Sequence, residues 1–266
     1  MCIIPTPGDI LNILSFFERS GFKIRKIGME LVKAILLVAI IATSVNFTMG
    51  GALEGSPLAV WERAKERTWR DQVVNSLDQT VVASLKDMGL APEDLYRLYV
   101  KKPDSKIRFL WSWDKETQQK AAVLALYIKK QNPKIDALTA WREAAAFLHY
   151  SSKYNIPLSL AVAVANTESH FDPKAKSNFG AMGVMQVAWH VHYNLLMANG
   201  IKSQSELYDP EKGIAAGSLL LSRYLKHYKS TKTALKRYYG GPVGKYWAKV
   251  SRYKNKVENF VSDIEL

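Results

Sequence analysis

Cysteine is almost missing from this chain of 266 residues: Cys2 is its one thiol. That excludes an internal disulfide framework and any cysteine-based metal cluster. Acidic side chains are also scarce, 24 Asp and Glu against 37 Lys and Arg, leaving a formal net charge of +13. Such an imbalance favours a polyanionic partner: nucleic acid, an anionic membrane face or the carboxylate-bearing cell wall. No stretch alternates with period two for long enough to suggest a sheet, and there is no internal repeat or low-complexity tract. A His-Glu-x-x-His motif is lacking. His190 and His192, two apart, would point to different faces of a helix, and Ser169-His170 are too close in sequence to form a triad. No metal is expected.

What remains describes a folded helical protein. A hydrophobic fraction of 48% and seven tryptophans argue against disorder, and the length suits one or two domains. The apolar run Ala34–Val45 is preceded by Lys23, Arg25, Lys26 and Lys33 and followed by Thr48, Gly50, Gly51 and Ala52. A basic flank, a short apolar segment and a small-residue exit describe a secretory signal peptide. The run stops at Asn46, short of the roughly 20 apolar residues of a spanning helix. An uncleaved inner-membrane anchor and a buried core helix are the alternatives. Met29 opens a segment that would serve as a signal peptide by itself, which favours it over Met1 as the start. Export, to a periplasm or cell envelope, is the expected destination.

Gly55, Ser56 and Pro57 punctuate the passage from leader to folded chain. Residues 1–53 are therefore assigned to the leader and 54–135 to a helical region without assigned chemistry. In that region Val73, Leu77, Val81 and Leu85 mark one helix, closed by Gly89. Pro92 opens the next, Pro103 breaks it, and Asp114 caps a third that Asn132-Pro133 ends. Trp61, Trp69, Trp111 and Trp113 are read as packing rather than a sugar-binding face. Residues 136–266 form the last region. A helix is expected over about Leu138–Tyr154, and Pro157 suits the first turn of another. This second helix is apolar all round over Leu160–Ala165, so it should be buried, and it delivers Asn166, Thr167, Glu168 and Ser169 before Asp172-Pro173.

A carboxyl group at the end of an apolar helix is anomalous. Burial beside alanine and valine should raise the pKa of Glu168, and the negative end of the helix dipole pushes the same way. A glutamic acid kept protonated near neutrality is what a glycosidase needs to protonate a leaving oxygen. The competing reading places Glu168 on a solvated rim, ion-paired with Lys174 or Lys176.

The following residues favour the first reading. Glu168–Gln186, ESHFDPKAKSNFGAMGVMQ, resembles the soluble lytic transglycosylase (SLT) signature: Glu-Ser, then a serine, then Gly-Ala-x-Gly-Leu-Met-Gln. Ser177 fills the serine position; Gly180, Ala181, Gly183, Val184, Met185 and Gln186 fill the block, with valine for leucine. The likeness continues through Leu207–Leu225 and Ala234–Pro242, in family order. It implies a mainly α, lysozyme-like catalytic domain over 136–266, with Glu168 as the single acid/base. Ser177, Met185 and Gln186 would then line a glycan cleft, with plain hydrophobic packing the alternative for Met182 and Met185, and Tyr238, the tyrosine of the family's Tyr-Asn-x-Gly motif, would join them near the acid. Gly180 and Gly183 would let a backbone hairpin approach a ligand, and Gln186 can donate to and accept from sugar groups at once. Two departures stand out. Tyr239 replaces the motif asparagine, and Gly213 stands where the family usually has asparagine; altered hydrogen bonding around the cleft is expected.

The resemblance implies cleavage of the peptidoglycan bond between N-acetylmuramic acid and N-acetylglucosamine, giving 1,6-anhydro products with no metal or organic cofactor. A second carboxylate would instead suit a hydrolase. Asp172, Asp209 and Glu211 are the nearby candidates, and all three are better read as turn or helix-start residues. Glycan strands are the expected partner. Membrane association through the N-terminal segment and service to an envelope-spanning secretion or conjugation machine follow by analogy. A lysozyme-type muramidase is the alternative. The Lys/Arg and aromatic interleaving of Tyr224–Lys256 would also suit a nucleic-acid binder, but export argues against it and no nucleic acid is expected.

Overall fold

The computed structural model describes residues 70–71 and 74–262. The leader and apolar run, Trp61, Trp69 and Val73 lie outside them. Short polar side chains open most helices. Asp78 accepts from the backbone N–H of Thr80 and caps α1 (Gln79–Asp87), beyond which Gly89 turns the chain at φ 72°. Pro92 begins α2 (Pro92–Lys101) at its first position, where a missing N–H costs nothing. A 3-10 segment, Lys106–Ser112, follows Pro103. Asp114 caps α3 (Lys115–Gln131), and Asp136 caps α4 (Ala137–Tyr154). Asn155, in the left-handed region at φ 52°, ends α4.

Next comes α5 (Leu158–Glu168), every residue of which from Leu160 to Asn166 is buried. Pro157 is its N-cap, one position ahead of the first-turn place expected. The only sheet among the described residues is a minimal hairpin, Ala181–Met182 (β1) against Val187–Ala188 (β2). It is too short for any period-two signal. Then come α6 (Trp189–Ala198), a 3-10 segment at Gln204–Tyr208, α7 (Pro210–His227), α8 (Thr231–Tyr239) and α9 (Val243–Ser262).

The fold is mainly α. One hydrophobic cluster runs from Leu77 to Val257, so α1 and α3 share their core with the helices after residue 136. Within it α9 lies along α5, and α4 packs against α3, α5 and α7. Trp111 and Trp113 pack against this cluster, as expected for large aromatic side chains. Helix α5 is thus sheathed by apolar neighbours along its length, and its last residue, Glu168, is delivered to the edge of the core.

Candidate active site

Glu168 is partly buried, and its Oε1 accepts a hydrogen bond from the Tyr246 hydroxyl at 2.6 Å. Burial pushes its carboxyl up to about 7; the Tyr246 bond and the charge of Lys249 pull the other way without cancelling it. The rim reading fails here: Lys249, not Lys174 or Lys176, is the nearby cation, and its Nζ donates to the Thr167 carbonyl at 3.2 Å. Around the acid the polypeptide is tightly fixed. Ser169 Oγ donates to the Val184 carbonyl at 2.7 Å and accepts from the Asp172 N–H at 3.1 Å. The side chain of Asn166 donates to the Tyr127 hydroxyl and to Gln131, and its Oδ1 accepts from His170 Nδ1 at 3.0 Å. His170 and Phe171 both hold positive φ, 54° and 62°, conformations that side-chain-bearing residues take only under constraint.

Beside this acid lies a groove of about 500 Å³ whose lining includes Phe179, Gln186, His190, Tyr224, Tyr238 and Tyr239. Glu168 is not in its lining; tyrosines connect the two. Tyr238, whose hydroxyl is pushed well above its ordinary pKa by burial and by the Glu168 charge, lines the groove and donates to the Met185 carbonyl at 2.8 Å. Tyr239 also lines it, half exposed, and stacks on Tyr246 with ring centroids 4.5 Å apart and planes 13° apart. The ring that replaces the motif asparagine therefore backs the tyrosine that holds the acid.

The other expected site residues divide. Gln186 lines the groove at φ 47°, its Nε2 donating to the carbonyls of Ala175 and Gly183, both at 3.1 Å. Ser177 shapes the loop: its Oγ accepts from the Ala181 N–H at 3.0 Å. Met185 is a correction. Its side chain is fully buried, pressed against Gly217, where a Cβ would come within 2.4 Å of the Met185 Cβ. Hydrophobic packing, not glycan contact, fixes it, and only its carbonyl serves the site. Gly183 needs a second amendment. A Cβ there would fall 2.0 Å from the Leu207 carbonyl oxygen, so the close approach is to the chain's own backbone. At Gly213, where the family usually has asparagine, an added Cβ would lie 2.8 Å from the same oxygen. The backbone crossing under the hairpin thus demands glycine on both sides.

The three carboxylates weighed as a second catalytic group are each engaged in structure. Asp209 caps α7 and pairs with Arg142 at 2.6 Å and Lys102 at 3.4 Å; burial opposes its ionisation, but Arg142 and the cap bonds keep it below the usual range. Glu211 accepts from Ser105 Oγ, the Lys106 N–H and Arg142 Nε at 2.6–2.8 Å. Asp172 closes a turn onto the Lys174 N–H at 2.8 Å. Sequence reasoning missed two residues. Tyr246 was signalled by its place in the apolar series Tyr246, Val250, Tyr253, Val257 on α9, but nothing local linked it to Glu168. Glu143, on α4, is wholly buried with both oxygens unpartnered, and burial pushes its carboxyl well above the ordinary value. Being enclosed, it cannot reach a substrate. Among the described residues no group of His, Cys, Asp and Glu is placed to hold a metal.

A family model for the transglycosylase SLT domain matches residues 145–261. That segment, 117 of the chain's 266 residues, is similar to the SLT domain. The chain is similar to the "Transglycosylase" of Enterobacteria phage PRD1, 35% identical over 122 residues, 46% of this chain and 42% of that protein. It is also similar to "Membrane-bound lytic murein transglycosylase C" of Yersinia enterocolitica, 32% identical over 125 residues, 43% of this chain and 35% of the relative. The matched SLT segment thus spans less than half the length of these relatives. Among solved structures, the 70 kDa soluble lytic transglycosylase of Escherichia coli aligns over 76% of this chain and 43% of its own, with TM-score 0.35 and 20% identity.

Proposed function

We propose that this protein is a peptidoglycan lytic transglycosylase in which Glu168 serves as both acid and base. The observation that carries this is a carboxyl raised to about 7, ending a buried helix and held by Tyr246, while Asp172, Asp209 and Glu211 are each engaged in structure. A pKa near the working pH lets one group give up a proton and take one back. Glu168 first protonates the oxygen linking N-acetylmuramic acid to N-acetylglucosamine, and that bond breaks. The substrate's acetamido group stabilises the positive charge developing at the anomeric carbon. Glu168, now a carboxylate, removes the proton of the C6 hydroxyl, whose oxygen closes on the anomeric carbon as a 1,6-anhydro ring. Protons and bonds balance without water, metal or cofactor.

Tyr246 orients the carboxyl through its hydrogen bond. Tyr238 and Gln186 present polar groups from the groove wall, and Ser177 keeps the loop above it in shape. The relatives' printed names, transglycosylase and lytic murein transglycosylase, support the reading. A cell-envelope location is supported by the membrane-bound relatives together with the Ala34–Val45 run; among the described residues no helix is long and apolar enough to cross a membrane. Service to an envelope-spanning machine stays with the same proposal. The test is a zymogram on purified peptidoglycan with wild type and Glu168→Gln, followed by mass spectrometry of the soluble fragments. Clearing by wild type alone, with anhydro-muramic ends, is expected. Reducing muramic ends would make the protein a muramidase, and clearing by the variant would remove Glu168 from the chemistry.

A further inference from the structure

On α9, residues 249, 252, 253 and 256 fall at i, i+3, i+4 and i+7, one face of the helix. Tyr253 occupies the middle of that face, buried to 8% exposure. Three cations surround its ring: Lys249 Nζ at 5.9 Å, Arg252 at 5.4 Å and Lys256 Nζ at 5.8 Å from the centroid. The His170 ring meets the same tyrosine edge-on at 6.1 Å. Like charges so close repel one another, and such clusters are usually relieved by an interleaved carboxylate. Here none is. Among the described residues Lys249, Arg252 and Lys256 form no ion pair, while Glu258 on the same helix is taken by Lys254 and Ser159.

The cluster is also beside the acid. Lys249 binds the Thr167 carbonyl, its charge is felt by Glu168, and His170 follows Glu168 by two residues. An anion seated here would be within a few residues' reach of the bond being cleaved. Peptidoglycan carries such anions: the peptide on the lactyl group of muramic acid bears free carboxylates, tethered to the sugar that reacts.

We propose that the Lys249–Arg252–Lys256 face with His170 binds the carboxylates of the glycan-attached peptide, so that peptide-bearing strands, rather than bare ones, are the preferred substrate. This rests on the transglycosylase reading. Arg252 and Lys256 are exposed and take no part in the Glu168 chemistry, so they carry the test. The full chain and an Arg252→Gln/Lys256→Gln variant, matched by circular dichroism, are assayed on peptide-bearing strands and on strands stripped by an amidase. A fall in kcat/KM of about fivefold or more on peptide-bearing strands, mostly in KM, with stripped strands unaffected, is expected. The wild-type preference should also shrink as salt rises from about 20 to about 300 mM. Arg252→Glu should deepen the loss.

Equal effects on both substrates, no effect on either, or no wild-type preference at low salt would overturn the proposal. So would inhibition by a phosphate polymer or oligonucleotide as strong as that by an acidic peptide, since the face would then be a generic polyanion surface. Should wild type release no anhydro product from either kind of strand, the transglycosylase reading itself fails, which is a distinguishable result.

Discussion

Replacing Glu168 by glutamine should abolish cleavage and, at the same time, make the protein more stable above neutrality. The carboxyl stands at about 7 against an ordinary 4.5, so the folded state favours the neutral form by up to roughly 3 kcal/mol. The folded chain binds this proton more tightly than the unfolded chain does. The stability it lends is therefore complete below about pH 4.5 and lost as pH rises through 7. Glutamine keeps the shape and the acceptor for Tyr246 but never ionises. Because Glu168 retains some solvent contact, screening trims the gain at pH 8 to roughly 1–3 kcal/mol, or about 3–9 °C in Tm for a unit of this size. At pH 4 the two proteins should melt within about 1 °C of each other. Thermal melts followed by tryptophan fluorescence from pH 4 to about 8.5 measure this directly. A glutamine variant that melts at or below wild type at pH 8, or a gap that ignores pH, would refute the claim that Glu168 is held neutral by burial.

Tyr246→Phe removes the bond that steadies and acidifies Glu168, so the basic limb of the pH–rate profile should move upward while kcat falls about tenfold; an unmoved limb would mean the bond has no part in tuning the acid. Glu143→Met replaces an unpartnered buried carboxyl by an apolar side chain of similar length and should raise stability by about 1–3 kcal/mol at pH 7, read from urea unfolding. Met185→Ala opens a cavity beneath the groove and should lose about 2–5 kcal/mol, with weakened cleavage because the carbonyl that receives Tyr238 shifts. Gly183→Ala, forced against the Leu207 carbonyl, should lower expression of soluble protein or Tm severely, and normal melting would contradict the crossing described above.

Much of this architecture was legible one residue at a time. Asp78, Asp114, Asp136 and Asp209 cap helices where capping chemistry places them, and the all-apolar Leu160–Ala165 segment is buried as its composition requires. Glu168 was found because its own helix made it anomalous. What escaped depends on backbone direction or on distant partners. Adjacent Met185 and Gln186 look equally suited to a cleft, yet the turn at Gln186, with φ 47°, leaves methionine in the core and sends glutamine to the groove. Tyr239 looked like a loss of hydrogen bonding; the stack on Tyr246 gives it a mechanical use that no local pattern announces. Glu143 went unnoticed because a single acid on a helix ordinarily faces water.

The Tyr246–Glu168 hydrogen bond closes a loop of 78 residues, and α9, which brings the tyrosine, also supplies the apolar wall along α5. During synthesis residue 168 is made long before either exists. Until that wall arrives it is an ordinary carboxylate, ionised at neutral pH and of little use as a proton donor. The proton-holding form of Glu168 is in this way postponed until α9, the last described helix of the chain, has packed against α5.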